Sequence, residues 1–163
     1  MASIDFYTSF GFCMTFEDPK CECAIVPDVG GYAISGINSA AFPSEYALIA
    51  GAAPSARAPL VKNFYLAHFW NPWLEGLADI ELKKRVFDAG VNMGAETAVK
   101  LLQEALGLTV DGAWGPKTLA AANTANNAVA AFINARVAHY EAIVARNPVD
   151  AKYLDDWLAR ARK

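Results

Sequence analysis

Two carboxylates stand early in the chain beside residues that stop a helix and turn the backbone. Glu17 lies in Cys13-Met14-Thr15-Phe16-Glu17-Asp18-Pro19, and Asp28 in Pro27-Asp28-Val29-Gly30-Gly31. An apolar run carries Glu17 to the point where Pro19 ends any helix, and the glycine pair lets the chain fold back tightly. A carboxyl at the edge of an apolar face is partly desolvated. That favours its protonated form, as a proton donor working near neutrality requires. The pattern therefore fits general acid catalysis with Glu17 as the acid. The competing reading is a helix end facing water. Asp28 also has two readings: a group that orients water or stabilises charge, or simply the cap of the Gly30-Gly31 turn.

Helices must position these groups. Ser3 is suited to cap a helix running from Ile4 or Asp5 to Glu17, with Phe6, Phe10, Cys13 and Met14 on one face. Residues 20–37 read as extended chain folded at Gly30-Gly31, a small β-hairpin. Residues 44–59 read as a loop with a brief helix. From about Leu60 to Trp70 the pattern is helical and closes on Asn71-Pro72, carrying an aromatic cluster of Phe64, Tyr65, Phe69, Trp70 and Trp73. Such clusters either form core or floor a sugar subsite, and Tyr65 and Trp70 divide between these roles. His68 reads as a satisfied or exposed histidine. Further helices are expected from Asp79 to Met93, Ala95 to Leu106, Lys117 to Ala145 with a bend near residues 124–127, and Asp150 to Ala161. The fold class is mainly α, with one small β element near the N-terminus.

Size and composition narrow the function. The chain has 163 residues, 55% of them hydrophobic and 19% charged, which fits one compact domain and excludes disorder. A formal net charge of -3 gives no support for nucleic-acid binding. Residues 1–36 are more acidic, at 1 − 5 = -4. No Lys/Arg-led leader opens the chain, and no uncharged apolar run reaches the roughly 18–20 residues needed to span a bilayer. A chain made in the cytoplasm without a signal peptide, and not inserted in a membrane, is expected. Cys13, Cys21 and Cys23 leave three options: free thiols, one disulfide from Cys13 to Cys21 or Cys23, or a metal site still short of a ligand. No His-x-x-x-His pair marks a zinc peptidase.

These pieces, in order, resemble glycoside hydrolase family 108, the bacterial and phage N-acetylmuramidases. The carriers are Glu17 at a helix end, Asp28-Val29-Gly30-Gly31, Gly36-Ile37, Phe69-Trp70-Asn71-Pro72 and Phe87-Asp88-Ala89-Gly90-Val91-Asn92-Met93-Gly94. The later chain resembles the helical peptidoglycan-binding region that accompanies the family. Its marks are Leu102-Gln103, Asp111-Gly112-Ala113-Trp114-Gly115-Pro116-Lys117-Thr118, Arg136 with Tyr140, and Trp157 with Arg160. The resemblance implies a lysozyme-like helical domain over residues 1–163. Residues 1–78 would hold the catalytic Glu and loop, and residues 79–163 the binding region packed on them. It implies cleavage of the β-1,4 bond between N-acetylmuramic acid and N-acetylglucosamine, with Glu17 and Asp28 catalytic and Ser35, Tyr65, Trp70 and Asn92 substrate-binding. It implies no metal or cofactor, a monomeric enzyme partnered by glycan strands of the wall, and an endolysin-like release to the periplasm. The chain departs from the family where Asp18-Pro19-Lys20 replaces the commoner Gly-Gly-Tyr, and where Ala33 replaces threonine. Those departures support the alternative, a catalytically impaired wall-binding module of the same fold.

Overall fold

A computed structural model describes residues 2–163 and divides into two compact units, one ending at Trp70 and one running from Asn71 to Lys163. The expected mainly α architecture, with its small β element near the N-terminus, is present.

In the first unit, α1 spans Ile4–Glu17. The Ser3 hydroxyl accepts from the Phe6 amide at 3.2 Å, satisfying one of the unpaired donors of the first turn. The helix stops because the Asp18 backbone leaves helical geometry and Pro19 cannot continue it. Its buried face is Phe6, Ser9, Cys13 and Met14, with Phe10 only half-buried.

The β element is larger than a hairpin. Strands β1 (Ile25–Asp28), β2 (Gly31–Ile34) and β3 (Ile37–Asn38) form an antiparallel meander. β1 and β2 are joined at Val29-Gly30, with Asp28 opposite Gly31. β2 and β3 are joined at Ser35-Gly36, with Ile34 opposite Ile37. Ser35 and Gly36 both have positive φ, 47° and 79°, as a type I′ two-residue turn requires. A serine in that conformation is uncommon, and it hid the second turn inside what reads as one extended piece.

Residues 43–69 are more helical than their prolines imply. Helix α2 is Pro43–Gly51 and α3 is Arg57–Phe69. Pro43 opens α2 and Pro59 lies in the first turn of α3, where a missing N–H removes no helical bond. Arg57 ties this region to the loop before β1, donating to the Cys23, Ala50 and Ala52 carbonyls at 3.1, 3.2 and 3.3 Å. Of the aromatic cluster, Phe64 and Tyr65 are core while Phe69 and Trp70 are half-buried; Phe6 stacks on Phe10 and meets Trp70 edge-on, and Phe10 meets Tyr65 edge-on at 5.4 Å. The cysteines are free thiols, Cys13 and Cys23 buried and Cys21 exposed.

The second unit holds α4 (Pro72–Gly76), α5 (Ile80–Met93), α6 (Ala95–Ala105), α7 (Pro116–Thr124), α8 (Ala128–Arg146) and α9 (Leu154–Arg162). Asn71 caps α4 and Asp79 caps α5, each side chain accepting two amides of the following turn. The long helix expected over Lys117–Ala145 is two helices, since Ala125 turns to extended backbone and Asn127 restarts the chain as α8. Leu82, Phe87, Val99, Leu102 and Phe132 fill the core. Asp88 is also buried there, between two arginines. Arg160 grips it through Nε and Nη2 at 2.8–3.2 Å, and Arg136 Nη1 lies 2.8 Å from Oδ2, charged but poorly angled for a hydrogen bond.

Candidate functional site

Glu17 ends α1 half-buried, and its carboxylate lies against the β2–β3 turn. A β-carbon added at Gly36 would sit 2.5 Å from Glu17 Oε2 and 2.8 Å from the Tyr65 hydroxyl. Only a glycine admits both groups so close to the backbone, and φ of 79° independently favours glycine there. Tyr65 is buried and donates through its hydroxyl to the Ser35 carbonyl at 2.7 Å. The Ser35 hydroxyl in turn donates to Asp18 Oδ2 at 2.7 Å. Helix end, turn and α3 are thus joined around Glu17 by short polar contacts.

Asp18 is the residue that sequence reasoning passed over. Its carboxylate accepts from the Cys23 amide at 2.8 Å and the Glu22 amide at 3.1 Å, besides Ser35. Partial burial pushes its pKa up, but the Ser35 hydroxyl and the Cys23 and Glu22 amides outweigh that and hold it below the usual aspartate value. Asp18 is therefore an anion beside Glu17. The signal was available: Asp at a helix C-terminus before Pro, with a turn following, is a residue placed to bind its own downstream amides. An open groove of about 210 Å³ runs here, lined by Glu17, Asp18, Lys20, Glu22, Val26 and Ser35 among others.

The other expected site residues separate by role. Asp28 is exposed at the end of β1, with Oδ1 accepting from the Val29 amide at 2.7 Å and Oδ2 from Asn38 Nδ2 at 2.8 Å. Both oxygens serve the sheet, so of its two readings the turn-holding one matches the geometry, and Asp28 is not among the residues lining the groove. Tyr65 is 1% exposed, so it cannot present a ring face to a sugar. That corrects the expectation of direct contact: its place is beneath the site. Ser35 is also buried but reaches the groove wall. Trp70 is half-buried at the end of α3, packed on Phe6. Asn92 belongs to the second unit, exposed near the end of α5, where it accepts a short hydrogen bond from the Tyr140 hydroxyl. His68 faces Glu45 at 3.1 Å and packs on Phe64.

In the second unit, the Asp111–Thr118 loop is organised by one buried side chain. Gln103 Nε2 donates to Asp111 Oδ1, the Ala113 carbonyl and Thr118 Oγ1, while Oε1 accepts the Asp111 and Gly112 amides. Residues 97–162, which contain this loop, match the family model described as "Predicted Peptidoglycan domain". This stretch of the second unit is similar to peptidoglycan domains. That description names a polymer and no activity. Among solved structures, "Structure of Brucella abortus SagA" matches at 21% identity and a TM-score of 0.62, over 97% of this chain and 96% of that one. This likeness shows a shared fold, and the mainly α, lysozyme-like helical architecture fits it. No curated protein matches the chain. Among the described residues no helix is long and apolar enough to cross a membrane.

Proposed function

We propose that the protein is a peptidoglycan hydrolase of the N-acetylmuramidase type, with Glu17 as general acid. The observation that carries this reading is the fit of the Glu17 carboxylate against Gly36 and the Tyr65 hydroxyl, at the mouth of a groove. A glycoside hydrolase needs an acid that protonates the bridging oxygen and negative charge to meet the oxocarbenium-like centre. Glu17 supplies the proton to the oxygen between N-acetylmuramic acid and N-acetylglucosamine. Asp18, kept ionised by its hydrogen bonds, supplies the fixed negative charge; Asp28 holds the β1–β2 turn. Ser35 and Tyr65 position the two carboxyls, and Trp70 braces α1 from α3. Asn92 holds the Tyr140 hydroxyl in the unit that grips the wall.

The relation of residues 97–162 to peptidoglycan domains supports the choice of polymer. A wall-binding module without turnover is the second reading, favoured by Asp18-Pro19-Lys20 standing where the muramidase family commonly has Gly-Gly-Tyr. The two part in one assay. Purified peptidoglycan incubated with the protein releases new reducing ends if Glu17 acts as proposed, and Glu17→Gln releases none. Sedimentation with the wall but no reducing ends from the native protein supports the binder instead.

A further inference from the structure

A second groove, of about 530 Å³, opens in the second unit where the end of α6, the following loop and the start of α7 meet. Its volume falls in the range of small-ligand sites. Gln103, Thr109, Asp111, Lys117 and Thr118 contribute to its lining. The floor is rigid: Gln103 is 2% and Thr118 4% exposed, and Gln103 commits both of its amide atoms to the loop. The two charged groups are not spent on the fold in the same way. Asp111 uses Oδ1 for both the Gln103 amide and the Ala113 amide. Those two bonds, Ala113 first, hold its carboxyl below the usual range, so it stays anionic. Lys117 is exposed in the first turn of α7, where a cation opposes the helix dipole. Among the described residues no carboxylate stands within ion-pair distance of it. Helix stability therefore does not explain the lysine.

We propose that this groove is a subsite for the stem peptide of peptidoglycan, with Lys117 taking a peptide carboxylate and Asp111 an amino-acid ammonium. The inference rests on the peptidoglycan reading and adds which part of the polymer is held. A bare glycan strand carries the lactyl carboxylates of its N-acetylmuramic acids but no ammonium, whereas a stem peptide offers a carboxylate together with the side-chain ammonium of a diamino acid. Thr109 supplies a hydroxyl at the rim, and the fixed loop needs no rearrangement to receive the ligand.

The test uses the full chain, with a soluble disaccharide–peptide fragment and the same disaccharide after an amidase has removed its stem. Neither holds an internal bond for a muramidase to cut. Calorimetric titration is expected to show binding of the stem-bearing fragment, at least about tenfold weaker for the stem-free one, and about tenfold weaker again for Lys117→Ala. Lys117 makes no hydrogen bond that the fold uses, and an unchanged melting temperature for the variant checks this. Amide shifts in nuclear magnetic resonance are expected at residues 107–111. Equal binding of the two fragments, an unaffected Lys117→Ala protein, or shifts confined to other residues would overturn the proposal. Its failure is separable from failure of the activity: reducing-end release without stem selectivity refutes the subsite alone, and stem-selective binding without release refutes the hydrolase alone.

Discussion

Substituting Gly36 tests whether the Glu17 geometry matters to catalysis. In Gly36→Ala the new β-carbon lies 2.5 Å from Glu17 Oε2, against 3.4 Å at which ordinary contact begins, so about 0.9 Å must be found. Tyr65 cannot give, because it is buried and its hydroxyl is bound to Ser35. The half-buried Glu17 side chain is the part that moves. A displacement of about 1 Å in a reacting group is enough for a loss of roughly 100-fold, or about 2.7 kcal/mol of barrier. The left-handed backbone adds a separate cost in stability of about 1–2 kcal/mol, which lowers the melting temperature by roughly 2–8 °C. Gly30→Ala is the control. It shares φ of 79°, but its β-carbon meets only Ala40 Cβ, at an ordinary 3.6 Å. Both variants carry the backbone cost, Gly36→Ala should lose further stability in thermal unfolding because its β-carbon also lies 2.8 Å from the fixed Tyr65 hydroxyl, and only Gly36→Ala should lose reducing-end release measured well below the transition. Equal activities in the two variants would refute the reasoning that the carboxylate's position against the turn sets the rate.

Three further outcomes follow from the same contacts. Asp18 has a lowered pKa, so its stabilising effect is fully present above the unfolded value near 3.8 and is lost as pH falls through the lower folded value. Native protein should exceed Asp18→Asn in stability at pH 6, and the gap should close below about pH 4 in urea titrations. Asp28→Asn keeps both neighbours' geometry but weakens an acceptor of the turn; it should cost about 1 kcal/mol in denaturant unfolding and leave turnover within about twofold. Asp88→Ala strips Arg136 and Arg160 of their shared, buried counter-ion. A loss of roughly 3–5 kcal/mol is expected, read as a large drop in the unfolding midpoint.

Local signals carried most of the fold. Ser3 and Asp79 mark helix starts that can be read from side-chain chemistry, and Gly94 at φ of 91° separates α5 from α6 at the expected point, whereas Asn71-Pro72, read as a helix end, also caps the short α4. What stayed hidden depends on contacts distant in sequence or on uncommon backbone states. Ser35 takes positive φ in a type I′ turn while its hydroxyl is held by Asp18, seventeen positions earlier, and no local pattern announces either. The interruption between α7 and α8 falls at the bend expected near residues 124–127, but its being a full break was not legible in that alanine- and asparagine-rich stretch. In the candidate site, Glu17 was legible as an acid at the end of an apolar helix. Asp28 was ambiguous, because Asp before a glycine turn serves catalysis and turn formation equally well, and its bond from Asn38, ten positions on, was not visible in the local sequence. Tyr65 was legible as aromatic but not as buried, since burial comes from Phe10 and the sheet rather than from its own helix.

The claim that Glu17 protonates a glycosidic bond in peptidoglycan is tested most directly by mass spectrometry of wall digests. Native protein should yield disaccharide fragments ending in reducing N-acetylmuramic acid, and Glu17→Gln, folded and still able to sediment with the wall, should yield none. Fragments of the same kind and amount from Glu17→Gln, or cleavage at a peptide or amide bond by the native protein, would contradict it.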